Sequence, residues 1–259
     1  MNNNIKKIAR TGLVAKGIIY AIIGVLTFLA AIDMGGQKSG KLKVLDFLEK
    51  QTFGNILLII IGLGLLCYAF WRLFQSIKDP ENIGSQKKGK VKRAGFFISG
   101  LLYLGFGVLA LISGFGSSSG SGGSGKKTSL LASDFGLIAL GIVGVILIGV
   151  GIYQFTKVNK DKFEKYFSSK ALSEEKRRKT IYNSAYLGLA SRGVIFLIIG
   201  FFAVKAAISS DPDKIKTTTD VFSFLEDSSY GSWLLGIVAA GLIAYAIFTF
   251  MLAKYRRFN

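Results

Sequence analysis

Six long apolar blocks constrain this chain more than any other feature. They run over Leu13–Ile32, Phe53–Phe74, Ala94–Phe115, Phe135–Thr156, Leu187–Ile208 and Gly231–Ala253. A helix of about 20 apolar residues matches the roughly 30 Å hydrocarbon core of a bilayer. One such block would suit a buried core helix, but six bounded by charged loops do not fit a soluble domain. The sequence therefore predicts an all-α polytopic membrane protein with six transmembrane helices. The first block has a basic start but is long for a signal peptide and lacks an Ala-x-Ala exit, so it is expected to be retained as a span.

The 33 Lys and Arg residues give a net charge of +18. Their placement explains the excess. Of these, 21 fall in the N-terminal segment, the second and fourth loops and the C-terminus, 8 fall in the alternate loops, and Lys16, Arg72, Arg192 and Lys205 lie within the apolar blocks. That asymmetry is the positive-inside pattern and predicts both termini in the cytoplasm. The basic rim would face anionic lipid headgroups, the expected partners, with a protein partner or a second copy as further candidates. No groove-reading element or aromatic-interleaved basic stripe points to nucleic acid.

The odd-numbered blocks open with related sequences: RTGLVAKGIIYAIIG from Arg10, RAGFFISGLLYLGFG from Arg93 and YLGLASRGVIFLIIG from Tyr186. Without gaps, Gly12, Gly95 and Gly188 align, as do Gly17, Gly100 and Gly193, and Gly24, Gly107 and Gly200. Tyr20, Tyr103 and Phe196 form an aromatic column. In the even-numbered blocks, Gly62, Gly144 and Ala239 align, as do Trp71, Tyr153 and Phe248. The chain thus reads as three tandem two-helix units, 1–80, 91–168 and 186–259, in one orientation and in a pseudo-threefold arrangement. Small residues let helices approach closely in lipid, so the glycines are expected at helix contacts, with a Gly-lined path as the alternative.

Short runs outside the blocks are amphipathic. KLKVLDFLEK and VFSFLED, on the side away from the basic loops, are expected to lie along the membrane interface. The linker KDKFEKYFSSKALSEEKRRK places Phe163, Tyr166, Phe167 and Leu172 among basic residues and is expected to form an interfacial helix on anionic lipid, or to dock a partner. The Ser/Gly run at 117–125 reads as a flexible linker.

The span openings, with their Gly-x4-Gly-x2-aromatic-x3-Gly spacing, the stretch YQFTKVNKDKFEKYF and the close YGSWLLGIVAAGLIAYAIFTFMLAKYRRF resemble the bacterial membrane family called domain of unknown function 1206. The resemblance covers almost the whole chain. It implies three tandem two-span modules in a bacterial cytoplasmic membrane and carries no activity with it.

Chemistry is limited by what the chain lacks. There is no His and only one Cys, Cys67, which reads as a small packing residue. His-based acid–base catalysis and a His or thiolate metal cage are therefore not expected. No phosphate-binding Gly-Lys-Ser loop or nucleophile elbow occurs. No Asp or Glu lies well inside a block, although cation-coupled transport usually requires one. We expect no enzyme, no cofactor and no metal. What the membrane does contain is positive charge. Lys16 and Arg192 share one repeat position, taken by Ser99 in the middle unit. Two readings follow for Lys16, Arg72 and Arg192. They snorkel to the headgroups, or they face inward as an anion or lipid-headgroup site with Tyr20 and Tyr103, and with Tyr68 and Tyr245 nearby. The first favours a non-enzymatic scaffold acting through its basic rim. The second favours a channel or passive carrier for an anion or small neutral solute. Where the three cations point decides between them.

Overall fold

A computed structural model describes residues 2–36, 40–84, 86–116, 134–159, 163–209, 218–227 and 230–258. The Ser/Gly run lies outside the described residues. Every apolar block is a helix, as it must be where lipid offers no partner to backbone N–H and C=O groups. The spans are α1 (Asn3–Ala31), α3 (Gly54–Lys78), α4 (Lys87–Gly114), α5 (Asp134–Asn159), α7 (Glu175–Ile208) and α9 (Gly231–Tyr255). Three short helices join them: α2 (Lys41–Glu49), α6 (Ser169–Leu172) and α8 (Thr218–Glu226). Several spans run past their apolar blocks at the basic end, most of all α7, which starts at Glu175 rather than Leu187.

Local chemistry ends these helices. Asp79, at φ 45°, takes the left-handed conformation that closes α3, and Pro80 follows. Its carboxylate accepts from Ile83 N and Gly84 N, each at 2.8 Å. Arg93 donates to the carbonyls of Ser76 and Ile77 at 2.7 and 3.0 Å, satisfying acceptors that the end of α3 leaves open. The two termini share one end of the bundle, where the Arg10 guanidinium lies 5.9 Å from the Phe258 ring.

The repeat columns meet one another in space. A Cβ on Gly107 would come within 3.2 Å of the Gly62 carbonyl, and one on Gly144 within 2.9 Å of the Gly200 carbonyl; one on Gly24 would come within 3.1 Å of the Ala239 carbonyl. The column Gly17, Gly100 and Gly193 is likewise filled by Phe250, Leu73 and Phe155, which are themselves aligned. Each unit's second span therefore packs on the next unit's first span, and α9 of the last unit packs on α1 of the first. This is the pseudo-threefold arrangement expected, and the most extensive helix contacts are these three, between units.

Within the units the symmetry breaks. Gly12 packs against the backbone of Tyr68, and Gly188 against the backbone of Tyr245. Gly64 meets Ala15, and Gly241 meets Ser191, at the matching level. In the middle unit the aligned positions are Ile98, Ile146 and Val150, all exposed, and a Cβ on Gly95 would meet nothing within 4 Å. Branched side chains stand where close approach needs small residues. The two outer units are closed helix pairs, and α4 and α5 stand apart.

Two expectations about the loops are corrected. The apolar faces of α2 and α8 are buried by the bundle, with Val44, Leu45, Leu48, Val221, Phe222 and Leu225 in the core. Gly40 N donates to Thr219 Oγ1 at 3.1 Å, linking the starts of the two helices. The basic linker is no lipid-lying helix either. Phe163 and Phe167 are buried, and Phe163 sits edge-on to Tyr182 and Phe248, at 5.2 and 6.0 Å between ring centroids. An amphipathic pattern specifies that an apolar face is covered, not whether lipid or protein covers it.

Candidate functional site: a cation and tyrosine cluster inside the bundle

The three cations singled out in the sequence do converge. Lys16 is 5% exposed, although its helix has a lipid-facing side on which it could snorkel. Its ammonium donates to the hydroxyls of Tyr68 at 3.0 Å and Tyr245 at 2.8 Å. Arg72 Nε donates to the same Tyr68 oxygen at 2.8 Å, and Arg192 donates to the same Tyr245 oxygen at 2.5 Å. Lys205, by contrast, is exposed, as snorkelling requires.

The pseudo-symmetry explains the arrangement. Lys16 and Arg192 are aligned residues of the outer units. So are Tyr68 and Tyr245, which the close Gly12 and Gly188 contacts press against the odd spans of the same units. The middle unit offers Ser99 and Val150 at those positions and contributes Tyr103 instead. Tyr103 stands edge-on to Tyr68 at 4.6 Å, and Tyr20 edge-on to Tyr245 at 4.8 Å. The Lys16 ammonium lies 4.8–5.9 Å from the centroids of all four rings. Arg192 lies 4.4 Å from the Tyr245 ring and 5.3 Å from that of Tyr20. All five sequence-predicted residues are thus in one cluster, and Tyr68 and Tyr245 are its bridging members rather than accessories.

The charge balance of this cluster is unusual. Among the described residues, no carboxylate lies within ion-pair distance of Lys16, Arg72 or Arg192. Cation–π contacts are worth about 0.5–2 kcal/mol each. Removing a cation from water costs several kcal/mol. The hydrogen bonds deepen the imbalance. A hydroxyl has two lone pairs and one proton to donate. The Tyr68 and Tyr245 oxygens each already accept from two cations, which occupies both lone pairs of each. The cluster therefore presents positive charge that no carboxylate among the described residues balances. A small anion has the complementary chemistry. Among the described residues no group of His, Cys, Asp and Glu could hold a metal ion.

A polar chain leads from the cluster to the basic end. Arg72 donates to Gln75 Oε1 at 3.1 Å, and Gln75 Nε2 donates to Glu81 Oε1 at 2.6 Å. Glu81 also binds Arg256 and lies 3.9 Å from Lys92. Sequence reasoning missed Gln75, Glu81 and Arg256. Glu81 is the clearest signal in retrospect, one of only two acids, with Asp79, in the basic second loop.

Comparison with known proteins supports the architecture. The family described as Domain of Unknown Function (DUF1206) matches three times, over residues 11–79, 94–160 and 187–256. A Bacillus subtilis (strain 168) protein described as "Uncharacterized protein YxxB" is 32% identical over 255 residues, which cover 97% of this chain and 91% of that one. No solved structure matches.

Proposed function

Taking as premise that the chain belongs to the DUF1206 family, with its repeat present three times, we propose that it is an anion-binding membrane protein. Its site is the cluster of Lys16, Arg72 and Arg192 on Tyr68 and Tyr245. One observation carries this reading: three cations gathered on two tyrosine hydroxyls inside the bundle, with no carboxylate among the described residues to balance them. An ionisable group within a membrane is costly and is kept for what it binds or moves. The protein sits in the cytoplasmic membrane with both termini inside, supported by the one-sided distribution of Lys and Arg. The anion reaches the cluster from the cytoplasmic side and is held by charge-assisted hydrogen bonds without being chemically changed.

Isothermal titration of detergent-purified protein in gluconate buffer tests this, using chloride, nitrate and inorganic phosphate. At least one anion binds saturably to the wild type, and Arg192→Gln weakens it at least tenfold. Heat signals absent for all three anions, or unaltered in Arg192→Gln, overturn the reading. Flux of the bound anion into proteoliposomes then separates a passive carrier or channel from a static site.

A scaffold role through the basic rim is a second reading, favoured by the concentration of Lys and Arg at one end. A cytoplasmic partner that is captured by the wild type and released by moderate salt supports it.

A further inference from the structure

At the basic end, outside the tyrosine cluster, a cavity of about 450 Å³ opens between the turn after α3, the linker before α7 and the C-terminal residues. Its size is within the range of small-ligand sites. Four cations line it, Lys92, Lys165, Arg256 and Arg257, against the single carboxylate of Glu81. Arg256 and Lys92 both lean on that carboxylate, which cannot neutralise them all. The Arg256 guanidinium is also layered over aromatic rings, 5.4 Å from Trp71 and 5.0 Å from Tyr166. Burial there pulls Arg256 below its ordinary range, so its charge is costly to keep without a counter-ion.

A second observation, independent of charge, points the same way. Trp71 lines this cavity and is 2% exposed. Its indole Nε1 has no hydrogen-bond partner among the described residues. A buried N–H without an acceptor costs about 1–3 kcal/mol. An indole N–H can only donate, so whatever satisfies it must supply an oxygen or another acceptor. An orphaned donor beside four cations calls for an anionic ligand with several oxygens. A phosphate group has that chemistry and suits the fork of Arg.

We propose that this cavity binds a phosphate-bearing ligand, which accepts from Trp71 and draws Arg256 and Lys92 away from Glu81. The phosphate belongs either to a lipid headgroup of the facing leaflet or to a soluble ion. The site is separate from the tyrosine cluster, and its occupant need not be the anion held there.

Trp71 supplies the readout. The chain has two tryptophans, and Trp233 is 79% exposed. In a Trp233→Phe background, emission therefore reports on Trp71 alone. The protein in phosphatidylcholine nanodiscs is titrated with inorganic phosphate, and is separately placed in nanodiscs containing phosphatidic acid. A saturable emission change with inorganic phosphate identifies a soluble ion as the source. A change seen only with phosphatidic acid identifies the headgroup, and either result supports the site. Lys92→Gln with Arg257→Gln raises the midpoint at least tenfold, whereas Lys170→Gln, an exposed cation away from the cavity, leaves it unchanged. Emission of the unliganded double variant matching its parent shows that the wall has kept its structure. No change with either probe overturns the proposal, as does an equal response in the double variant and in Lys170→Gln.

Discussion

Lys16 and Tyr245 lie 229 positions apart in the chain and are joined by a 2.8 Å hydrogen bond. The contact between the last and first units makes this bond, because α9 of the third unit packs on α1 of the first. The pair therefore joins the fold to the proposed site, and it separates stability from binding. Replacing a buried charge by an apolar residue of similar shape is often neutral or stabilising. Lys16→Met is expected to leave the melting temperature in detergent unchanged or higher while weakening anion binding. Tyr245→Phe removes the oxygen that accepts from both Lys16 and Arg192. It is expected to cost about 1–3 kcal/mol, the penalty for unsatisfied buried donors. Thermal melts of the two variants with and without anion check both.

Aligned glycines do not behave alike. A side chain on Gly12 or Gly188 would overlap the backbone of Tyr68 or Tyr245, whereas one on Gly95 meets open space. Overpacking of this kind costs about 1–3 kcal/mol, while Gly to Ala in an unhindered helix gains up to about 1 kcal/mol. Gly12→Ala and Gly188→Ala should therefore lower the melting temperature, and Gly95→Ala should hold or raise it. Equal effects at all three positions would mean that the middle unit closes like its neighbours.

The turn after α3 carries a pH dependence. Partial desolvation opposes ionisation of Asp79, but the N–H groups of Ile83 and Gly84 outweigh it and hold the carboxyl below its usual range. A depressed carboxyl stabilises the fold fully above its ordinary pKa of about 4. That contribution fades as pH falls through the lower folded value. Amide protection of Ile83 and Gly84, followed by hydrogen exchange, is expected to be flat from neutral pH down to about 5 and to drop in more acid solution. Asp79→Ala should remove this protection at every pH.

Much of the architecture is legible in the residues, because hydrocarbon imposes long apolar helices and close packing imposes glycine. The columns at Gly62 and Gly107 mark helix contacts by residue type alone. They do not say that the partner belongs to the next unit, since contacts within and between units call equally for small residues. The open middle unit is written at Ile146 and Val150, but it becomes readable only once Gly64 and Tyr68 are seen to make the closed contact. For the cations, helix position alone leaves Lys16 free to point to the headgroups. The four-ring surround that draws it inward is assembled from four different spans. The rim cavity is hidden for a similar reason. Trp71, Glu81 and Arg256 meet only when the C-terminus folds back under α3, and the buried Phe163 and Phe167 show that the linker packs there too.

The central claim is that an anion completes the cluster around Lys16. Crystals of the protein soaked in bromide test it most directly, through the anomalous scattering of that ion. The account predicts a peak within hydrogen-bonding reach of Lys16 or Arg192 and of a tyrosine hydroxyl, absent from Arg192→Gln crystals. An empty map at the cluster, or a carboxylate from a loop seated among the three cations, would contradict it.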